Sequence, residues 1–93
     1  MEAVISTRTV PADPAYEADA FANALIGCVR PAFLLARSVG LSPDDAAEVV
    51  QEASAQAWRY RSGLRGEFRP WFLSIVYRRA RRPSRRWLTI PVF

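Results

Sequence analysis

Between Val39 and Pro43 the chain reads Val-Gly-Leu-Ser-Pro, and this short stretch limits the fold more than any other. Gly40 tolerates the left-handed conformation that ends a helix, and Leu41 can pack back over the finished end. Ser42 offers a hydroxyl to cap the next helix. Pro43 suits that helix's first position, where no amide proton is needed. One helix therefore stops and another starts almost at once. So short a link makes the two lie against each other as an αα-hairpin.

The flanking patterns agree. Upstream, Asp13 and Pro14 read as an N-cap and first helical residue. Ala18, Phe21, Leu25 and Cys28 follow at helical spacing, then Phe33, Leu34, Leu35, Ala36 and Val39. Pro31 lacks the proton that the hydrogen-bond ladder requires, so a kink or break is expected there. Residues 1–13 show no period and read as a flexible leader. Downstream, a helix is expected from Pro43 to about Tyr60. Turned through about 100° per residue, it puts Ala46, Val50, Ala53, Ala57 and Tyr60 on one face. Asp44, Asp45, Glu48, Gln51, Glu52 and Arg59 fall on the other. Residues 61–68 hold two glycines and two arginines and read as a loop. Pro70 opens a third helix with Trp71, Phe72, Ile75 and Val76 on one side, closed by Arg81, Arg82 and Pro83. Alanine is abundant while glycine and β-branched residues are few. The expected fold is all-α, a small three- to four-helix bundle over 14–86, followed by the apolar tail WLTIPVF over 87–93.

Charge is divided along the chain. Residues 1–58 carry three arginines against eight acids, and residues 59–93 carry ten arginines against Glu67 alone. That split points to one acidic contact surface and one surface for polyanions, on different sides of the body. All thirteen basic residues are arginine, which binds phosphate and stacks on bases better than lysine. The acidic helix face has an ordinary reading as a solvated surface and a sharper one as a dock for a basic helix. Glu48 and Glu52 stand one turn apart and repel each other. Arg59, the one positive residue on that helix, lies too far along to pair well with either. On the basic side, Arg61, Arg65 and Arg69 flank the loop, and Arg78, Arg79, Arg81, Arg82, Arg85 and Arg86 follow. Tyr60, Phe68, Trp71, Phe72, Tyr77 and Trp87 are interleaved with them. Arginines supply phosphate contacts and exposed rings supply stacking platforms for unpaired bases, although Trp71 and Phe72 also suit the core. Six arginines in so short a run repel one another and stabilise nothing in the free fold, so nucleic acid is the expected partner. A membrane surface fits less well, because no long apolar face accompanies them.

Other classes fall away. The sequence has no apolar run long enough to span a bilayer, and its start lacks the basic and apolar blocks of a secretory signal. Cys28, the single cysteine, sits in a helix pattern and reads as a core residue; lone cysteine use suits a reducing, cytoplasmic setting. There is no histidine, no metal-ligand cluster, no phosphate-binding glycine loop and no nucleophile–base pair. Neither an enzyme nor a cofactor site is expected.

The segment LSPDDAAEVVQEASAQAWRYRSGLRGEFRPWFLSIVYRRARR, from Leu41 to Arg82, resembles region 2 of extracytoplasmic-function bacterial sigma factors. Asp45, Ala46, Glu48, Val50, Gln51, Glu52, Ala57 and Trp58 match the family's D-A-x-(D/E)-hydrophobic-V-Q-E helix and the A-W after it. Arg65, Gly66, Phe68, Arg69, Pro70, Trp71 and Ile75 match its F-R-G-like loop and F-R-x-W-L-x-x-I-A-R helix. RPAFLLARSVGL is similar to the family's first helix, and the likeness covers roughly residues 18–82 in one register. The resemblance implies a module of transcription initiation. Asp45, Glu48, Gln51 and Glu52 would dock on the clamp helices of the β′ subunit of core RNA polymerase. Arg61, Arg65, Arg69, Trp71, Arg78, Arg79, Arg81 and Arg82 would hold promoter −10 DNA and a flipped base. Flipping costs a few kcal/mol, offset by a pocket and by phosphate contacts. An anti-sigma factor is a further implied partner. Where family members continue the third helix with asparagine and small apolar residues, this chain has Tyr77, Arg78, Arg79 and then Pro83. Phosphate binding is therefore implied more firmly than base reading. The sequence ends at Phe93, so the family's second helical domain, which reads the −35 element, is expected to be missing. A second reading is a non-initiating interaction module, a decoy for polymerase or for an anti-sigma factor. A third is a generic basic DNA-binding domain without polymerase contact.

Overall fold

Capping chemistry sets the joint between two of the helices in the computed structural model, which describes residues 14–82. The expected leader, Arg85, Arg86, Trp87 and the rest of the tail lie outside the described residues. Four α-helices follow in order: α1 (Pro14–Ile26), α2 (Val29–Ser38), α3 (Pro43–Arg59) and α4 (Phe68–Ala80). A short 3-10 turn, Arg61–Gly63, lies between α3 and α4, and the described residues contain no strand. The all-α bundle expected from the sequence is what forms.

The joint between α2 and α3 has the expected chemistry. Gly40 has φ 104°, and its N–H donates to Arg37 O at 2.9 Å. Leu41 is buried at 2% exposure, and its carbonyl accepts from Arg37 Nη1 at 2.9 Å. Ser42 Oγ accepts from the Asp45 N–H at 3.1 Å, with Pro43 as the first helical residue.

The break expected at Pro31 falls earlier, at Gly27 and Cys28, where α1 and α2 meet at a bend of 50°. Pro31 is the third residue of α2. Amides of a helix's first turn have no carbonyl to bond within the helix, so proline removes nothing there. Pro70 repeats the lesson as the third residue of α4, which starts at Phe68 rather than at the proline.

The core lies between α2, α3 and α4. Ala32, Ala36, Ala46, Ala53, Ala57 and Ala80 are fully buried along this seam, with Val49, Phe72 and Val76 beside them. Alanines at the contacts let helix axes approach to the short end of the usual range of about 8–10 Å. Cys28 is buried in the same core, as expected. Two residues differ from the expected face of α3. Val49 is fully buried, because α3 is covered by both α2 and α4 and its buried arc is wider than one stripe. Tyr60 is 56% exposed, because the helix ends at Arg59 and the helical phase does not reach it.

α1 is held differently. Its Phe21 ring meets Trp58 edge-on at 5.0 Å and Phe68 edge-on at 5.4 Å. Phe68 in turn stacks on Phe72 at 5.5 Å and tilts against Trp71 at 5.8 Å. The result is an aromatic clasp with Phe68 at its centre. Among the described residues no single helix is long and apolar enough to cross a membrane.

Candidate functional site

Burial of the alanine and valine side of α3 fixes the helix's rotation. Glu48 and Gln51 are consequently exposed on its outward face, with Asp45 and Glu52 partly exposed. Asp44 and Asp45 occupy the first turn, where the helix dipole favours negative charge. Glu52 leans toward α4, and its Oε1 lies 3.9 Å from Arg79 Nε. Gln56 Oε1 accepts a hydrogen bond from Arg79 Nη1 at 3.2 Å. A cation from α4, Arg79, thus stands beside Glu52. The acidic and basic surfaces, expected on different sides, meet along the line between α3 and α4.

The arginines expected at DNA divide into two groups. Arg61 is committed within the fold. Its Nε donates to Glu17 Oε2 at 3.0 Å, its Nη1 donates to Trp58 O at 2.6 Å, and its guanidinium lies 3.7 Å from the Trp58 ring centre. Arg61 therefore staples α1 to the end of α3. Arg79 is held by Gln56 and Glu52, and its Nε–H is buried without a hydrogen-bond partner. Arg65, Arg69, Arg78, Arg81 and Arg82 are exposed. Arg65 and Arg69 sit at the start of α4, and Arg78, Arg81 and Arg82 at its end. Nine helical steps from Arg69 to Arg78 separate the two groups by roughly 14 Å along the axis. Arg81 is also close to Tyr77, with its Nη1 3.2 Å from Tyr77 Oη.

The rings sort in the same way. Phe72 is fully buried, and Phe68 and Trp71 pack against the core partly buried. Tyr60 and Tyr77 are the rings left open in this part of the molecule, with Trp58 at the edge of exposure beneath Arg61. Trp71, expected among the DNA contacts, belongs to the clasp.

A cleft of about 460 Å³ opens between the C-terminal halves of α3 and α4. Glu52, Gln56, Arg59, Tyr60, Arg79 and Arg82 line it, with Ala55 at its floor or wall. The Arg59 guanidinium lies 5.9 Å from the Tyr60 ring centre. No sequence pattern pointed to this cleft, because it depends on how two helices cross rather than on spacing along one. Gln56 in particular carries no signal as a residue of the middle of a helix. Among the described residues no group of histidine, cysteine and acidic side chains could hold a metal ion. No protein-family model matches the chain, and neither a curated protein nor a solved structure matches it.

Proposed function

We propose that this chain is a sigma-factor-like module that docks on core RNA polymerase through α3 and holds promoter −10 DNA through its exposed arginines. One observation carries the reading. The outward face of α3 keeps Glu48 and Gln51 exposed and Asp45 partly so, at the positions where the family resemblance implies the polymerase contact. Such a face is charged and lacks an apolar centre. Its contribution lies in complementarity to a basic partner and in association rate. Arg65, Arg69, Arg78, Arg81 and Arg82 supply the phosphate contacts. Five such contacts give a logarithmic salt dependence with a slope of roughly −4 to −5 on duplex DNA.

A second reading has a specific observation behind it. Arg61 is engaged within the fold, Arg79 sits back in the cleft between α3 and α4, and Trp71 is part of the core margin, so three of the expected DNA residues stand off the open arginine surface. That favours a non-initiating module that occupies polymerase or an anti-sigma factor without reading a promoter. Retention of the chain on immobilised core polymerase tests the docking claim. The wild-type chain is expected to be retained, and Glu48→Arg with Gln51→Arg to weaken retention more than tenfold, about 1.4 kcal/mol or more. No retention of the wild type, or equal retention of the variant, sinks it. Fluorescence anisotropy with −10-like and scrambled single strands separates the two readings, since equal affinity leaves only the interaction module.

A further inference from the structure

Three guanidinium groups, from Arg59, Arg79 and Arg82, line one cleft with a single carboxylate, Glu52. Two of the three have their setting defined. Arg79 is restrained by the hydrogen bond to Gln56 Oε1 and by the Glu52 carboxylate 3.9 Å away. Arg59 lies beside the Tyr60 ring on the same wall. A guanidinium already held in place loses little freedom when it binds an anion, and its planar fork suits paired phosphate oxygens. Glu52 Oε1, 3.9 Å from Arg79 Nε, is an ion-pair partner of that N–H rather than a hydrogen-bond acceptor.

The charge balance narrows the ligand. Three cations against one anion leave two positive charges, which matches a terminal phosphate monoester of about −1.5 to −2 near neutral pH. An internal phosphodiester, with a single charge, matches less well. The volume of about 460 Å³ falls within the roughly 300–1,000 Å³ common for small-molecule sites. Tyr60 supplies an open ring at the cleft, and rings of this kind stack on any base. Two other clefts among the described residues differ. One is lined by Val29, Phe33, Ala47 and Val50 with Arg30 as its one cation, and the other by Phe21, Leu64 and Phe68 with the Glu17–Arg61 ion pair, so neither gathers several cations.

We propose that the cleft between α3 and α4 binds a nucleoside monophosphate, with the phosphate at Arg79 and Arg82 and the base on Tyr60. The same chemistry is carried by a free nucleotide and by the 5′-phosphorylated end of a nucleic-acid strand. The proposal does not rest on polymerase docking.

The test is a nitrogen–proton correlation titration of the full chain that includes the arginine Nε–H signals. The probes are AMP, adenosine, inorganic phosphate, and one short oligonucleotide with and without a 5′-phosphate. AMP is expected to give saturable shifts confined to residues 52–60 and 79–82, and to bind at least tenfold more tightly than adenosine or phosphate. Arg82→Gln, at an exposed position, is expected to weaken AMP several-fold with the melting temperature unchanged. Tyr60→Ala is expected to reduce AMP to the affinity of phosphate. Binding of the 5′-phosphorylated strand without binding of AMP keeps the site and identifies the strand end as its source. The proposal is overturned if neither AMP nor the phosphorylated strand gives saturable shifts in the millimolar range. Equal affinity for AMP and phosphate overturns it too, as does equal affinity for the two strands or indifference to Arg82→Gln.

Discussion

α2, α3 and α4 meet through alanines, whereas α1 and the arginine loop meet the rest of the molecule through rings. In the seam, Ala36, Ala53 and Ala57 are fully buried. In the clasp, Phe21, Trp58 and Phe68 touch edge-on at 5.0 Å and 5.4 Å, and the Glu17–Arg61 ion pair closes the outer side. A seam of small residues has no spare volume, so added atoms disrupt it. A clasp depends on a few large side chains, so removed atoms disrupt it. Segments with fewer buried apolar contacts open more readily, and α1 is the segment so placed.

Three substitutions break or sharpen this contrast. Ala53→Leu forces three further carbon atoms into a fully buried contact and is expected to cost about 3 kcal/mol, the upper end for overpacking. Urea denaturation checks it, and a loss below about 1 kcal/mol would mean the seam has room. Phe21→Ala is expected to cost about 1–2 kcal/mol, less than a fully buried phenylalanine because the ring is only partly buried. Hydrogen exchange should then rise in α1 while α2, α3 and α4 keep their protection. A uniform rise would show that clasp and seam unfold as one unit. Glu17→Gln is expected to cost less than about 1 kcal/mol, because both partners are about one-third or more exposed and screened by water. Its effect should fade as salt is raised; a loss that persists in high salt would point to the packing of Arg61 on Trp58 instead of the ion pair.

Much of the seam was legible in the sequence. Gly40, Leu41, Ser42 and Pro43 are local signals whose effect depends on their immediate neighbours, and each performs its expected role. The expectations for Pro31 and Pro70 fail because a proline's cost depends on its position within a helix. Pro31 and Pro70 both sit in a first turn, where a missing amide proton removes no bond. The helical period, extended past the helix end, puts Tyr60 on the buried face, and a single stripe leaves out Val49 because α3 is covered on two sides. The site was less legible than the fold. Exposure of Glu48 and Gln51 follows from the buried face opposite, which the period reveals. The partners of Arg61 and Arg79 do not follow from any pattern. Glu17 lies forty-four positions from Arg61, and Gln56 lies twenty-three from Arg79. Charge counting registers such arginines as available, and only the packing of α1 and α4 shows them occupied.

The approach of Glu52 to Arg79 makes the two faces of the molecule thermodynamically conversant. A cation that draws Glu52 outward leaves Arg79 with more unbalanced charge, and an anion that takes up Arg79 leaves Glu52 more available. Such an effect is reciprocal: whatever factor occupancy of one face applies to the other is returned unchanged. A cation taking up Glu52 and an anion taking up Arg79 would therefore favour each other, by the small amount that a partly exposed ion pair allows.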